Sequence, residues 1–202
     1  MYYRSVVRSI FHLQMNPVVK IFIVADFLFW SSINFYQPLL ALFIVDQIPG
    51  GNALTVGFAT TVYLLGRVIP EIPVGVWLDR TRSQRDDHAV LVLGTFVEGL
   101  LYFAYPHVGS VWQLYAVMVM LGVTSSFTYP SWRAIFTRYV DKTKVAFEWS
   151  MYDVLVGIGM AFGASLGAFL VAQWGFVTLF YVVGIGVILS SLLILSVRRF
   201  IK

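Results

Sequence analysis

Apolar residues run along this chain in six long stretches, at about 17–45, 54–79, 88–105, 110–138, 144–172 and 175–197, separated by short polar or glycine-bearing connections. None alternates apolar with polar residues as a barrel strand facing lipid must. A helix needs about 20 residues to cross a ~30 Å hydrocarbon core. Each stretch is long enough, and the longer ones would tilt or project beyond the lipid. The pattern predicts an all-α polytopic membrane protein with six transmembrane helices in a single domain over 17–202. Residues 1–16 are a different case: Tyr2, Tyr3, Val6, Val7, Ile10 and Phe11 recur at helical spacing beside Arg4 and Arg8. Two readings stand there, a helix lying on the cytoplasmic membrane interface and a frayed tail.

Composition agrees with the pattern. The chain is 59% hydrophobic and 12% charged, with a mean hydropathy of +0.80, whereas a soluble domain is about half apolar and a quarter charged. It has no cysteine, hence no disulfide, no thiolate metal site and no cysteine nucleophile. The net charge of +4 would suit nucleic acid on a soluble domain, but position matters more here. Arg4, Arg8 and Lys20 precede or begin the first span. Arg80, Arg82 and Arg85 lie between the second and third, Arg133, Arg138, Lys142 and Lys144 surround the fourth connection, and Arg198, Arg199 and Lys202 follow the sixth span. The connections DQIPGGNA, PHVGS and QWG carry no base. The positive-inside rule then puts both termini in the cytoplasm, which an even span count allows. The expected location is the plasma (inner) membrane. Assigned to the membrane surface, the basic residues leave nothing for a nucleic-acid partner.

Four acids fall well inside the spans: Asp26, Glu71, Glu98 and Asp153. Counted from the cytoplasmic helix ends, all lie roughly 12–15 Å deep, where ionisable groups are costly and mark function by default. Arg67 is the only base at that depth and stands i, i+4 from Glu71, so the two can pair on one helix face. For each acid the competing reading is a structural hydrogen bond or ion pair. Glu148, one turn inside its span, is read as interfacial.

The stretch GVWLDRTRSQR (75–85) resembles a known signature. Gly75, Asp79, Arg80, Arg82 and Arg85 are similar to the loop between the second and third helices of the major facilitator superfamily, roughly G-x-x-x-D-R/K-x-G-R-R/K. The glycine after Asp-Arg is missing here, and Ser83 and Gln84 break the basic pair. Pro38 in the first span, the run YPSWRAIFTRYVDKTKVAF (129–147) and the ridge Gly159, Gly163, Gly167 also resemble that family. The Gly-Pro step of its antiporters is absent, since Ala164 follows Gly163.

The resemblance implies one six-helix half of a transporter, itself a 3+3 inverted repeat. It implies alternating access, a small-molecule substrate and a parallel homodimer, and Met1 and the basic end at Lys202 suit a whole gene product. The alternatives are half of a longer or split transporter and a non-transporting membrane assembly protein. It further implies a cytoplasmic gate of Gly75, Asp79, Arg80, Arg82, Arg85 and Arg133, with Gly75 allowing close helix approach and Arg133 near Asp79. The candidates for proton coupling are Asp26, Glu71, Glu98 and Asp153; Asp26 is the first choice because helix 1 lines the family's cavity, and Glu98 comes next by chemistry although helix 3, which carries it, is peripheral. Asn34, Gln37, Ser125, Ser126 and Tyr129 are candidate cavity residues. Trp30, Trp132 and Trp149 would add aromatic surface suited to a lipophilic or cationic compound, with sugar as runner-up.

No enzyme is expected. An intramembrane protease needs a serine–histidine or paired aspartate site at depth, and His12, His88 and His107 sit at or outside the interfaces. A channel would need a filter motif, and the single Asn16-Pro17 step is not one. No metal or phosphate-loop motif occurs and no cofactor is expected; the partners are the substrate, protons and lipid.

Overall fold

The computed structural model describes residues 15–81 and 83–201. The proposed interfacial helix over 1–16 therefore lies almost wholly outside the described residues, as does Arg82. The described residues are helical, with no strand among them.

The elements are α1 (Pro17–Tyr36), α2 (Leu40–Gln47), α3 (Ala53–Thr81), α4 (Gln84–Tyr102), α5 (Val111–Tyr139) and α6 (Val145–Ser196). Among the described residues five stretches are long and apolar enough to cross a membrane, and their bounds follow the hydropathy closely. Local chemistry sets the ends. Pro17 occupies the first turn of α1, where its missing N–H costs nothing, and Asn16 Oδ1 accepts the Val18 N–H at 2.9 Å. Pro38 cannot continue the α-helical bonding, and a 3₁₀ turn over Gln37–Leu39 separates α1 from α2. Ser83 caps α4, and Asp86 and Asp87 in its first turn face the positive end of the helix dipole. The pattern S-x-x-D thus explains the acids of this charged turn.

The 52 residues of α6 would measure about 78 Å if straight. They are not straight. Gly175 stands at φ 77 and ψ 175, a conformation open essentially to glycine alone. The contacts on α1 show a reversal there. Gly159 abuts Phe27 and Ser31, Gly163 abuts Ser31 and Asn34, and Gly167 abuts Phe35, so this arm runs parallel to α1. Beyond Gly175 the order inverts: Gly186 abuts Ser32, and Ser190 Oγ donates to the Ala25 carbonyl at 2.8 Å. The two arms, 145–174 and 176–196, form a helical hairpin clasping α1.

The glycines decide these approaches. A Cβ on Gly163 would lie 3.3 Å from the Asn34 Cβ, and one on Gly122 of α5 would lie 3.0 Å from the Arg67 backbone nitrogen in α3. Small residues let helices close on one another where lipid removes the hydrophobic drive. Gly75 behaves otherwise. A Cβ there would meet nothing within 4 Å among the described residues, so the expectation that it permits a close helix contact is corrected.

The helices form an arc, with α3 on α5, α5 on α4, α4 on the second arm of α6, and both arms on α1. The buried apolar residues fall into two groups. One holds Val19, Phe22, Phe136, Ile194 and Val197 near the described chain ends. The other, at the opposite end, contains Phe43, Tyr102, Tyr105, Leu121 and Phe180. Its rings pack closely: Tyr105 stacks on Phe180 with centroids 4.5 Å apart, and the Tyr36 and Tyr102 hydroxyls are 3.2 Å apart. Between the two groups the arc stays open.

Candidate functional site

The concave side of the arc holds a cavity of about 720 Å³ lined from α1, α3, α4, α5 and both arms of α6. Two carboxyls line its wall, Asp26 and Glu98, each 5% exposed. The Tyr152 hydroxyl and the Trp132 indole face Asp26. The indole Nε1 is buried and makes no hydrogen bond. Around that carboxyl the rings of Trp132, Trp149 and Tyr152 lie 5.4–6.2 Å from one another. Glu98 has Ser125 as its polar neighbour and Arg67 as a nearby charge.

Helix 3 was expected to be peripheral, yet α4 turns Glu98, Thr95 and Tyr102 to the cavity. Its adjoining edge is fixed by Gly99, on which a Cβ would lie 3.1 Å from the Gly184 carbonyl oxygen, and by Ser191 Oγ donating to the Val92 carbonyl at 2.8 Å.

Arg67 and Glu71 do pair, at 3.7 Å. Arg67 lines the cavity, and its Cζ lies 4.4 Å from the Tyr129 ring centroid. Arg133 lines the same cavity with its Cζ 4.9 Å from that centroid. Among the described residues neither Arg133 nor Asp79 makes an ion pair. Arg133 stands one turn from Tyr129 on α5, and that turn faces the cavity.

Of the other candidates, Gln37, Ser125 and Tyr129 line the cavity. Asn34 donates to the Trp30 carbonyl at 2.9 Å and packs against Gly163. Ser126 is fully buried and donates to the Val123 carbonyl at 2.7 Å. Asp153 is exposed and off the cavity wall. Arg80 and Arg85 are exposed. Glu148 is fully buried, and its Oε2 accepts the Asp141 N–H at 3.0 Å, closing the α5–α6 turn.

The terminal end of the bundle is tied by contacts that sequence reasoning missed. Arg138 pairs with the buried Asp87 at 3.8 Å. His88 Nε2 meets the Ile194 carbonyl at 2.8 Å, and the Tyr139 hydroxyl donates to Gln84 at 3.0 Å. The sequence did carry a signal, since Asp87 and Arg138 are opposite charges at adjoining helix ends.

No group of three or more histidine, cysteine or carboxylate residues able to hold a metal occurs among the described residues. The arrangement can bind a small molecule between aromatic walls, and it offers carboxyls and guanidiniums on one face.

The sequence pattern of the Major Facilitator Superfamily matches residues 22–200. An uncharacterized MFS-type transporter of Methanocaldococcus jannaschii is 25% identical over 162 residues, covering 80% of this chain and 40% of the relative. The vesicular acetylcholine transporter of Caenorhabditis elegans is 25% identical over 154 residues, covering 73% of this chain and 28% of the relative. The chain spans less than half the length of either relative.

Proposed function

The chain belongs to the Major Facilitator Superfamily, and from that premise we propose that it is a six-span half of a secondary transporter that moves a small molecule by alternating access. The observation that carries this is the cavity, a wall of aromatic rings with two buried carboxyls midway between the two apolar cores. A buried carboxyl is expensive unless it works. Asp26, and after it Glu98, would take up a proton from one side and release it to the other as access alternates.

The helix contacts support an inverted repeat. Number the spans with the two arms of α6 as fifth and sixth. Span 1 then packs on 5 and 6, and span 4 packs on 2 and 3. Exchanging 1 with 4, 2 with 5 and 3 with 6 returns the same set of contacts, as two units of opposite orientation would. The charge distribution supports cytoplasmic termini and a plasma-membrane location.

An open arc needs a second body to close the path. When the chain acts by itself, that body is a second copy in parallel orientation. The lengths of the relatives favour another arrangement, in which a different six-helix half completes the cavity.

The test is reconstitution in proteoliposomes holding a pH-sensitive dye, with solutes added against an imposed pH gradient. Solute-dependent proton movement is expected, lost in Asp26→Asn and reduced in Glu98→Gln. Uptake that persists in both variants with unchanged proton dependence removes these carboxyls from coupling, and absence of any solute movement in wild type refutes transport by this chain as a homodimer.

A further inference from the structure

Two guanidiniums converge on one ring. Arg67 reaches Tyr129 from α3, Arg133 reaches it from the next turn of α5, and all three line the cavity. Sharing the ring keeps the two Cζ atoms within about 10 Å of each other, inside the screening distance of salt water. Like charges are not brought together without a reason, and the carboxylates nearby do not supply one. Glu71 reaches only Arg67, at 3.7 Å, longer than a hydrogen bond. Arg67 Nε is buried without a hydrogen-bond partner, and Arg133 has no carboxylate partner among the described residues.

Both Cζ atoms stand over the ring, at 4.4 and 4.9 Å from its centroid. A guanidinium that rests its flat face on an aromatic ring keeps its N–H groups free in its own plane. That fork matches a carboxylate or phosphate with two parallel hydrogen bonds. A carboxylate or phosphate centre held by two such forks stands roughly 4 Å from each Cζ, a spacing the shared ring allows. Trp132, one residue before Arg133, offers apolar surface beside it.

We propose that Arg67 and Arg133, held on Tyr129, form an anion clamp in the cavity that takes the carboxylate or phosphate of a solute with an aromatic or apolar body. This rests on the reading of the cavity as the substrate path and deepens it. When Asp26 and Glu98 carry their coupling protons, the two arginines and Glu71 are the charged groups left near the cavity, and their sum is positive. Proton loading and anion loading would then favour one another.

The test measures binding, so it stands apart from whether transport is seen. The purified full chain in phosphatidylcholine nanodiscs is titrated with radiolabelled benzoate and phenyl phosphate, and with benzyltrimethylammonium as the same ring bearing the opposite charge. Both anions are expected to bind, each at least tenfold more weakly to Arg133→Gln and Arg67→Gln. Arg133→Lys should restore part of the loss, while Arg85→Gln in the loop should change nothing. Size-exclusion profiles show that the variants fold, and Arg133→Gln is the decisive one because it breaks no ion pair. Nanodiscs containing phosphatidylglycerol separate the two sources of phosphate. If that lipid displaces the anions from wild type but not from Arg133→Gln, the clamp holds a lipid headgroup and the solute assignment falls. No anion binding at millimolar concentration overturns the proposal, as does equal affinity in Arg133→Gln or tighter binding of the quaternary ammonium than of the anions.

Discussion

Gly167→Ala places one methyl group where there is no room. Its Cβ would lie 2.6 Å from the Phe35 carbonyl carbon and 2.7 Å from the Phe35 Cα, on α1. Carbon atoms rest at about 3.5–4.0 Å, so α1 and the first arm of α6 must part by roughly 1 Å. The Phe35 carbonyl oxygen is nearer still; all three obstructing atoms are backbone, and no rotamer change relieves them. Overpacking of this kind costs typically 1–3 kcal/mol. Against it stands the better helix propensity of alanine, about 0.8–1.0 kcal/mol over glycine, so a net loss of up to about 2 kcal/mol is expected. Gly157→Ala is the matched control, two turns and more away on the same arm, where an added Cβ meets nothing within 4 Å. It gains the propensity term alone and should stabilise by under about 1 kcal/mol. The assay is thermal unfolding in detergent by intrinsic tryptophan fluorescence. At about 2–4 °C per kcal/mol for a chain of this size, the two variants should differ by several degrees, with wild type between them. A Gly167→Ala protein as stable as Gly157→Ala would refute the close approach of α6 to α1, and with it the registry on which the helical hairpin rests.

Other outcomes follow from the same geometry. Gly175→Ala forces a side chain into backbone that L residues avoid, so it should cost about 1–3 kcal/mol in the same melt, although an added Cβ has open space there; an unchanged melt would mean that the reversal lies elsewhere. Arg138→Gln leaves Asp87, whose side chain is 6% exposed, without its cation. Since Arg138 is itself 43% exposed, the expected loss is about 1–2 kcal/mol, less than for a fully buried pair; Asp87→Asn combined with it should recover stability, and failure to recover would deny the pair any role. The absence of cysteine makes topology directly readable. Single cysteines at Ser83 and Thr143 should label with an impermeant maleimide from the face opposite to that labelling Asn52 and Gly109, and labelling of all four from one side would refute six crossings.

Much of the fold was legible because hydropathy is a local, additive property. A run such as 110–138 declares a span by its own content, and α5 is found at Val111–Tyr139. The break at Gly175 was legible too, since QWG carries no charge but interrupts the run. The glycine ridge declared a packing edge, and Gly159, Gly163 and Gly167 all lie on α1. The family was legible from its loop signature and glycines, although that signature did not foretell the role of each member. A Cβ on Gly75 would meet nothing within 4 Å among the described residues, and Arg133 lines the cavity.

What the sequence determined by itself is therefore the membrane-helical class, the places where helices begin and end, and the family. Which face of each helix looks inward was decided by tertiary structure alone. In water an apolar stripe marks the buried side of a helix. In lipid both sides are apolar, as the exposed Phe58, Leu65, Val68 and Ile69 of α3 show, and the stripe disappears. The register of small residues across helix pairs takes over, with Gly122 against α3 and Gly186 and Ser190 against α1. These partners lie far apart in sequence, so their pairing cannot be read from any one segment. It is that pairing which turns Glu98 into the cavity, sets Asp26 opposite Trp132, and brings two arginines onto one tyrosine.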